Sequence, residues 1–73
     1  MEYEQETLKA KEWLEKTGIG AMDLVRFGGI SVTSAYKIQN GEAMKDLDVL
    51  YRLYLGLKKE GYEVTWYEFT GIQ

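Results

Sequence analysis

The sequence contains no cysteine, no histidine and no proline. Without cysteine there can be no disulfide bond and no thiolate metal site, and without histidine the commonest metal ligand and general base is missing. A serine or threonine nucleophile would have no visible activating base. We therefore expect no cofactor, no metal and no enzymatic activity.

Long apolar runs are also missing. The longest, Leu53–Leu57, is far shorter than the roughly 20 residues that a membrane span needs. Residues 1–16 are rich in glutamate and lysine, which is not the composition of a secretory signal. The absence of cysteine fits a reducing compartment, so we expect a soluble, cytoplasmic protein without membrane association.

Length and charge limit the possible functions. A chain of 73 residues makes one domain, 1–73, whose core must be efficient because so small a chain buries only roughly 60% of its unfolded surface. The net charge of −3 argues against a generic nucleic-acid binder. Only the middle third leans positive, because residues 21–45 carry two acidic and three basic side chains.

Glycines at 18–20, 28–29, 41 and 61 divide the chain into segments with helical periodicity. A lone glycine pair such as Gly28–Gly29 is typical of a turn rather than of a phosphate-binding loop. The first helix is predicted from Glu4 to Lys16, with Gly18 as its left-handed stop. Its inward face is predicted to consist of Thr7, Leu8, Lys11, Trp13 and Leu14.

Two shorter helices follow in the middle of the chain. One is predicted at about Ala21–Phe27, with Leu24 and Val25 pointing inward. The other runs from a cap at Ser31 to about Asn40, and Asn40-Gly41 is a strong stop.

A fourth helix is predicted from a cap at Asp46 to about Lys59, ended by Gly61. Its core-facing stripe has spacings of three and four residues. The predicted stripe consists of Leu47, Leu50, Tyr51, Tyr54 and Leu57.

The tail, residues 62–73, can be interpreted in two ways. Its aromatic and β-branched residues are typical of a strand. However, Thr65 and Glu68 have the spacing of a capping box, and Val64 and Phe69 occupy the hydrophobic-staple positions. We favour a short final helix at about Trp66–Thr70, which gives an all-α chain of five helices.

Residues 21–41 have the pattern of a helix-turn-helix. Val25 supplies the apolar position inside the first helix, and Gly29, four residues later, tolerates the positive φ of a tight turn. Ser31 supplies the cap of the second helix, and Ala35 and Ile38 supply its two buried positions.

On these residues the chain resembles the Cro/repressor (xenobiotic-response-element, lambda-repressor-like) family of helix-turn-helix domains, found in bacterial and phage regulators. The similarity covers residues 18–71, including Gly18-Ile19 and the later Val64-Thr65-x-x-Glu68-Phe69 segment. The resemblance implies that the third helix enters the major groove of operator DNA, with a homodimer on a two-fold site. The implied base-facing residues are Val32, Thr33, Tyr36 and Lys37, and those near the phosphate backbone are Arg26 and Asn40; Lys45 is a further cation expected to contact DNA.

Two features favour a different function on the same scaffold. The chain has Ala21 where the family often has glutamine or arginine, and Asp23 adds a negative charge where a phosphate is expected. There are also more aromatic side chains than so small a core readily buries, which is typical of an interface. The alternative is therefore a protein-interaction module, such as an antirepressor or modulator that binds a repressor. The predicted dimer or partner interface consists of Tyr51, Tyr54, Trp66, Tyr67 and Phe69.

Overall fold

Five α-helices make up most of the chain in the computed structural model, which describes residues 2–73. They span Glu4–Thr17 (α1), Ala21–Gly28 (α2), Val32–Gln39 (α3), Asp48–Lys59 (α4) and Trp66–Thr70 (α5). The prediction of an all-α chain is confirmed, and the tail forms a short helix rather than a strand. Across residues 2–73, no helix combines the length and the apolar character needed to cross a membrane.

Three of the helices end in the same hydrogen-bonded motif. The residues that follow α1, α3 and α4 with positive φ are Gly18, Gly41 and Gly61, with φ of 73°, 73° and 100°. Each glycine N–H donates to the carbonyl three residues back, and the next N–H donates to the carbonyl five residues back, at 2.9–3.2 Å. This pairing is the Schellman motif, which satisfies the last free carbonyls of a helix. The predicted stops at these glycines are confirmed.

The core lies between two sets of packed helices. α1 packs against α5 and α3, and α2 packs against α3 and α4. The buried apolar side chains form one cluster. Its largest fully buried members are Leu24, Ile38, Leu50, Leu53, Leu57 and Phe69.

The inward face of α1 differs from its prediction. Thr7, Ala10 and Leu14 are buried, with spacings of three and four residues, whereas Leu8 is exposed. Leu8 lies about 100° around the helix from Thr7, on the side away from Ala10, so it falls outside the buried stripe. The buried Thr7 is satisfied locally, because its Oγ1 donates to the carbonyl of Tyr3 at 2.6 Å.

Two predictions for α4 are wrong. The helix begins at Asp48 after Leu47, and the Asp46 carboxylate instead accepts a hydrogen bond from the Asp48 N–H at 3.0 Å, two residues on. Tyr51, predicted to face the core, is exposed, and Leu53 is buried in its place. Whether Tyr51 or Leu53 is buried depends on the rotation of α4 about its own axis. The packing of α2 against α4 sets that rotation.

α5 has the predicted reciprocal cap. The Glu68 N–H donates to Thr65 Oγ1 at 3.0 Å, and the Thr65 N–H donates to Glu68 Oε1 at 3.1 Å. Val64 and Phe69, on either side of the cap, are both buried. This arrangement is the capping box with its hydrophobic staple, and it explains why five residues suffice for a helix here.

A feature not expected from the sequence joins the start of the chain to the loop before α4. The Tyr3 N–H donates to the Met44 carbonyl at 2.8 Å in an isolated antiparallel bridge. Met44 is buried, so this bond fixes the loop against the start of α1.

Candidate functional site

α2 and α3 are joined by a tight turn at Gly29. Gly29 has φ of 61°, and its N–H donates to the Val25 carbonyl at 3.0 Å. Ile30 is then buried, and Ser31 begins the next helix because its Oγ accepts the Ser34 N–H at 3.1 Å. The predicted turn at Gly29 and the predicted cap at Ser31 are both confirmed.

One face of α3 is buried and the opposite face is open to solvent. Ala35 and Ile38 are fully buried. Val32 and Tyr36 are 48% and 49% exposed, which is high for large apolar side chains. The four residues predicted to face bases all lie on the exposed part of α3: Val32, Thr33, Tyr36 and Lys37.

The N-terminus of α2 is occupied by a carboxylate of the same helix. The Gly20 N–H donates to Asp23 Oδ2 at 3.4 Å, and Arg26 Nη2 donates to Asp23 Oδ1 at 2.8 Å. The Arg26 guanidinium also lies 5.4 Å from the centre of the Phe27 ring. The positive end of the helix dipole and the Arg26 charge are thus both partly compensated within the chain.

Two further predicted cations line one surface groove. Lys37 of α3 and Lys45 of the α3–α4 loop both border a groove of about 440 Å³, together with Ser34. Glu2 and Asp46 lie along the same groove, so its charge is mixed rather than uniformly positive. Asn40 is exposed at the end of α3, where its N–H donates to the Tyr36 carbonyl at 2.9 Å.

The predicted interface aromatics divide into three groups. Trp66 lies edge-on to Tyr51 and Tyr54, with ring centroids 5.6 and 5.3 Å apart, so these three side chains form one cluster. Tyr67 is exposed but lies towards α1, with Lys9 Nζ 5.6 Å from the centre of its ring.

Phe69 belongs to the core and not to an interface. It is fully buried and lies 5.7 Å from Trp13 in an edge-on arrangement. Assigning it to a partner surface was therefore wrong. The reason is that Phe69 fills the staple position of the α5 cap and points back into the protein.

Two exposed apolar residues were missed from the sequence. Met22 of α2 is 62% exposed, and Leu55 of α4 is 47% exposed. Helical phase was an available signal for Met22, which lies about 200° around α2 from the inward Leu24, but not for Leu55, because the sequence placed Tyr51 on the core-facing stripe. Leu55 lies four residues after the exposed Tyr51, and Met22 is next to the buried Ala21.

The serine hydroxyl groups nearest to the Gly29 turn form hydrogen bonds within the first turn of α3. Ser31 Oγ donates to Ser34 Oγ at 3.0 Å while it caps α3. Among residues 2–73, no group of three or more aspartate or glutamate side chains is placed to hold a metal ion.

Comparisons of the chain with family models, with curated proteins and with solved structures find no match. The resemblance to the Cro/repressor family thus stays a prediction based on the residues themselves.

Proposed function

We propose that this protein is a transcription regulator that binds operator DNA through α2, the Gly29 turn and α3, and that it acts as a homodimer. The observation that carries the proposal is the division of α3 into two faces. Ala35 and Ile38 fix the helix against the core, while the face with Val32, Tyr36 and Lys37 is open to solvent. A rigid helix with a free polar and apolar face suits the major groove.

Each side chain of this face has a chemical role in the proposal. Val32 contacts a thymine methyl group, Thr33 hydrogen-bonds a base edge, and Lys37 reaches the acceptors of guanine. Tyr36 completes the base-facing set. Lys45 and Asn40 lie beside the phosphate backbone and position the helix.

A dimer is needed because each chain offers few cations to DNA. Arg26, Lys37 and Lys45 are the cations proposed to reach DNA, and Arg26 is already paired with Asp23. Strong binders neutralise about 6–10 phosphates, which one chain cannot do with these side chains. Two copies on a two-fold operator double the number of contacts.

The test is a titration against duplex DNA over a range of salt concentrations. Because each phosphate contact contributes about 0.9 to the slope of log K against log salt, we expect a slope of about −4 for a dimer that uses Lys37 and Lys45 of each chain. Lys37→Ala should reduce its magnitude by about 2 per dimer. Lys16→Ala removes the same charge from the exposed end of α1 and should leave the slope unchanged. Equal effects of both variants would refute a specific role for Lys37.

A second candidate function has its own support. Met22, Val32 and Tyr36 expose apolar area on α2 and α3, and Asp23 occupies the α2 N-terminus where a phosphate would bind. These features suit a protein partner better than a nucleic acid. The alternative is therefore a module that binds a repressor protein.

The same titration separates the two functions. No DNA binding near 50 mM salt would rule out the regulator, because electrostatic binding is strong under that condition. A pull-down from the native host, followed by footprinting of any DNA recovered, then distinguishes them. A protein recovered without DNA, whose capture is lost in Tyr36→Ala, would support the module.

A further inference from the structure

The start of the chain is held against the α3–α4 loop through the backbone of Tyr3. The Tyr3 N–H donates to the Met44 carbonyl at 2.8 Å. The Tyr3 carbonyl accepts from Thr7 Oγ1 at 2.6 Å and from the Thr7 N–H at 3.3 Å. Thr7 and Met44 are both buried, so the two partners of Tyr3 belong to the packed interior. Glu2 directly precedes this anchor and so lies beside the α3–α4 loop.

Glu2 borders the groove that contains two of the cations proposed to contact DNA. The groove, of about 440 Å³, is lined by Lys37 of α3 and Lys45 of the α3–α4 loop. Asp46 also lines it, but the Asp46 carboxylate already accepts the Asp48 N–H at 3.0 Å. Glu2 is exposed. It therefore brings a solvated carboxylate from the start of the chain to the two lysines.

We propose that Glu2 is an autoinhibitory side chain, which competes with DNA phosphate for Lys37 and Lys45. The inference rests on the proposed function, because it takes these two lysines as DNA contacts. A carboxylate and a phosphate are both anions that attract the same ammonium groups. DNA must therefore displace Glu2 or approach a groove whose positive charge is already partly neutralised.

The bond between Tyr3 and Met44 makes this inhibition reversible. The bridge between these two residues is isolated, so one backbone hydrogen bond rather than a ladder keeps Glu2 at the groove. Breaking that bond leaves α1 to α5 in place and frees the start of the chain to move away. The lysines then become fully available to phosphate.

The first experiment changes the charge at position 2 and measures the affinity for duplex DNA at about 50 mM salt. Glu2→Gln should tighten binding about two- to fivefold per chain, the range of a solvated ion pair, and Glu2→Lys should tighten it further. The gain should shrink at high salt, because screening weakens contacts between exposed charges.

Glu4→Gln is the matched control for the charge series. Glu4 is exposed and lies two residues from Glu2, but it borders a groove lined by the first residues of α1 rather than by lysines. Its substitution removes the same charge and should change the affinity much less. Equal gains from Glu2→Gln and Glu4→Gln would show a net-charge effect and overturn the inference.

The second experiment breaks the anchor without changing the charge. Tyr3→Pro removes the N–H that donates to Met44, and position 3 is the N-cap of α1, where proline does not interrupt the helix. We expect tighter DNA binding in Tyr3→Pro but no further gain when Glu2→Gln is added, because both changes act through one carboxylate. No gain from Tyr3→Pro, or the same gain in both backgrounds, would contradict the role of the anchor. The charge series does not depend on the stability of this variant.

A third measurement separates a failure of this inference from a failure of the proposed function. Inorganic tripolyphosphate is a polyanion without bases, and the backbone amide shifts of Lys37 and Lys45 report its binding to the groove. Glu2→Gln should bind it about two- to fivefold more tightly than the wild type, and Glu4→Gln should not. Such a gain in a protein that binds no DNA would support the masking of the lysines and reject the regulator. DNA binding together with equal tripolyphosphate affinities would reject the inference alone.

Discussion

The backbone of Gly56, in the middle of α4, lies against the backbone carbonyl of Phe27 at the end of α2. A β-carbon at position 56 would overlap that carbonyl. Gly28 is close to the same helix, because its β-carbon would lie 3.1 Å from the Leu53 Cα. The two glycines therefore set the distance between α2 and α4, and through α2 they set the position of the turn and α3.

Gly56→Ala should destabilise the protein even though alanine is the better helix former by about 1 kcal/mol. Backbone atoms cannot move aside as a flexible side chain can, so we expect a net loss of about 1–3 kcal/mol in the free energy of unfolding. Urea denaturation followed by circular dichroism measures it. Gly20→Ala is the comparison for space alone: nothing lies within 4 Å of the added β-carbon and φ is −95°, so its loss is limited to alanine being a poorer N-cap of α2 than glycine. A Gly56→Ala variant as stable as the wild type would show that α2 and α4 separate easily.

The prediction for Gly29 depends on its backbone conformation rather than on the room available for a side chain. Its φ of 61° is unfavourable for residues with a β-carbon, although nothing lies within 4 Å of where that atom would be. Asparagine tolerates this region better than alanine, and a β-branched residue tolerates it least. Thermal unfolding should therefore rank stability as glycine, asparagine, alanine, valine. Valine as stable as asparagine at position 29 would mean that the turn adopts another conformation.

Thr65 tests the contribution of the capping box to α5. Thr65→Ala removes the acceptor for the Glu68 N–H and should cost about 1 kcal/mol, whereas Thr65→Ser keeps the hydroxyl and should cost little. Chemical denaturation followed by tryptophan fluorescence measures both, since Trp66 is the next residue. Equal losses in the two variants would mean that the threonine methyl group matters rather than the hydroxyl.

These helix ends were predictable from the sequence because their causes are local. Gly18, Gly41 and Gly61 end helices, and Ser31 and Thr65 begin them, through hydrogen bonds to residues at most five positions away. The positive φ of Gly29 and the burial of Ala35 and Ile38 follow a pattern that was predictable for the same reason. The residues of this pattern lie close together in the sequence, and each has a single structural role.

Features that depend on contacts between helices were not predictable in the same way. Leu8 and Tyr51 fit the apolar spacing of α1 and α4 but are exposed, because neighbouring helices decide which side of a broad apolar stripe is buried. At Gly56 the sequence showed only a glycine inside a segment with clear helical periodicity, and this alone does not predict close contact with another helix. Phe69 is a different case, because the sequence already placed it at the staple position of the α5 cap, and that position alone separates it from the interface aromatics.

Substitution of Asp23 tests whether its carboxylate weakens the binding of duplex DNA. Asp23→Asn keeps a hydrogen-bonding side chain at the α2 N-terminus, removes a negative charge and releases Arg26. We expect several-fold tighter binding to duplex DNA at low salt, because the dipole and Arg26 then become available to phosphate. Glu12→Gln makes the same change in net charge on the exposed part of α1 and serves as the control. Tighter binding by both variants alike would indicate only a net-charge effect.

The most direct measurement of the DNA contact is the change in backbone amide chemical shifts when a selected duplex is added to labelled protein. We expect the largest changes at residues 32–37 of α3 and smaller ones around Arg26 and Lys45. Changes confined to other parts of the chain, or none at low salt, would contradict the proposal that the open face of α3 binds DNA.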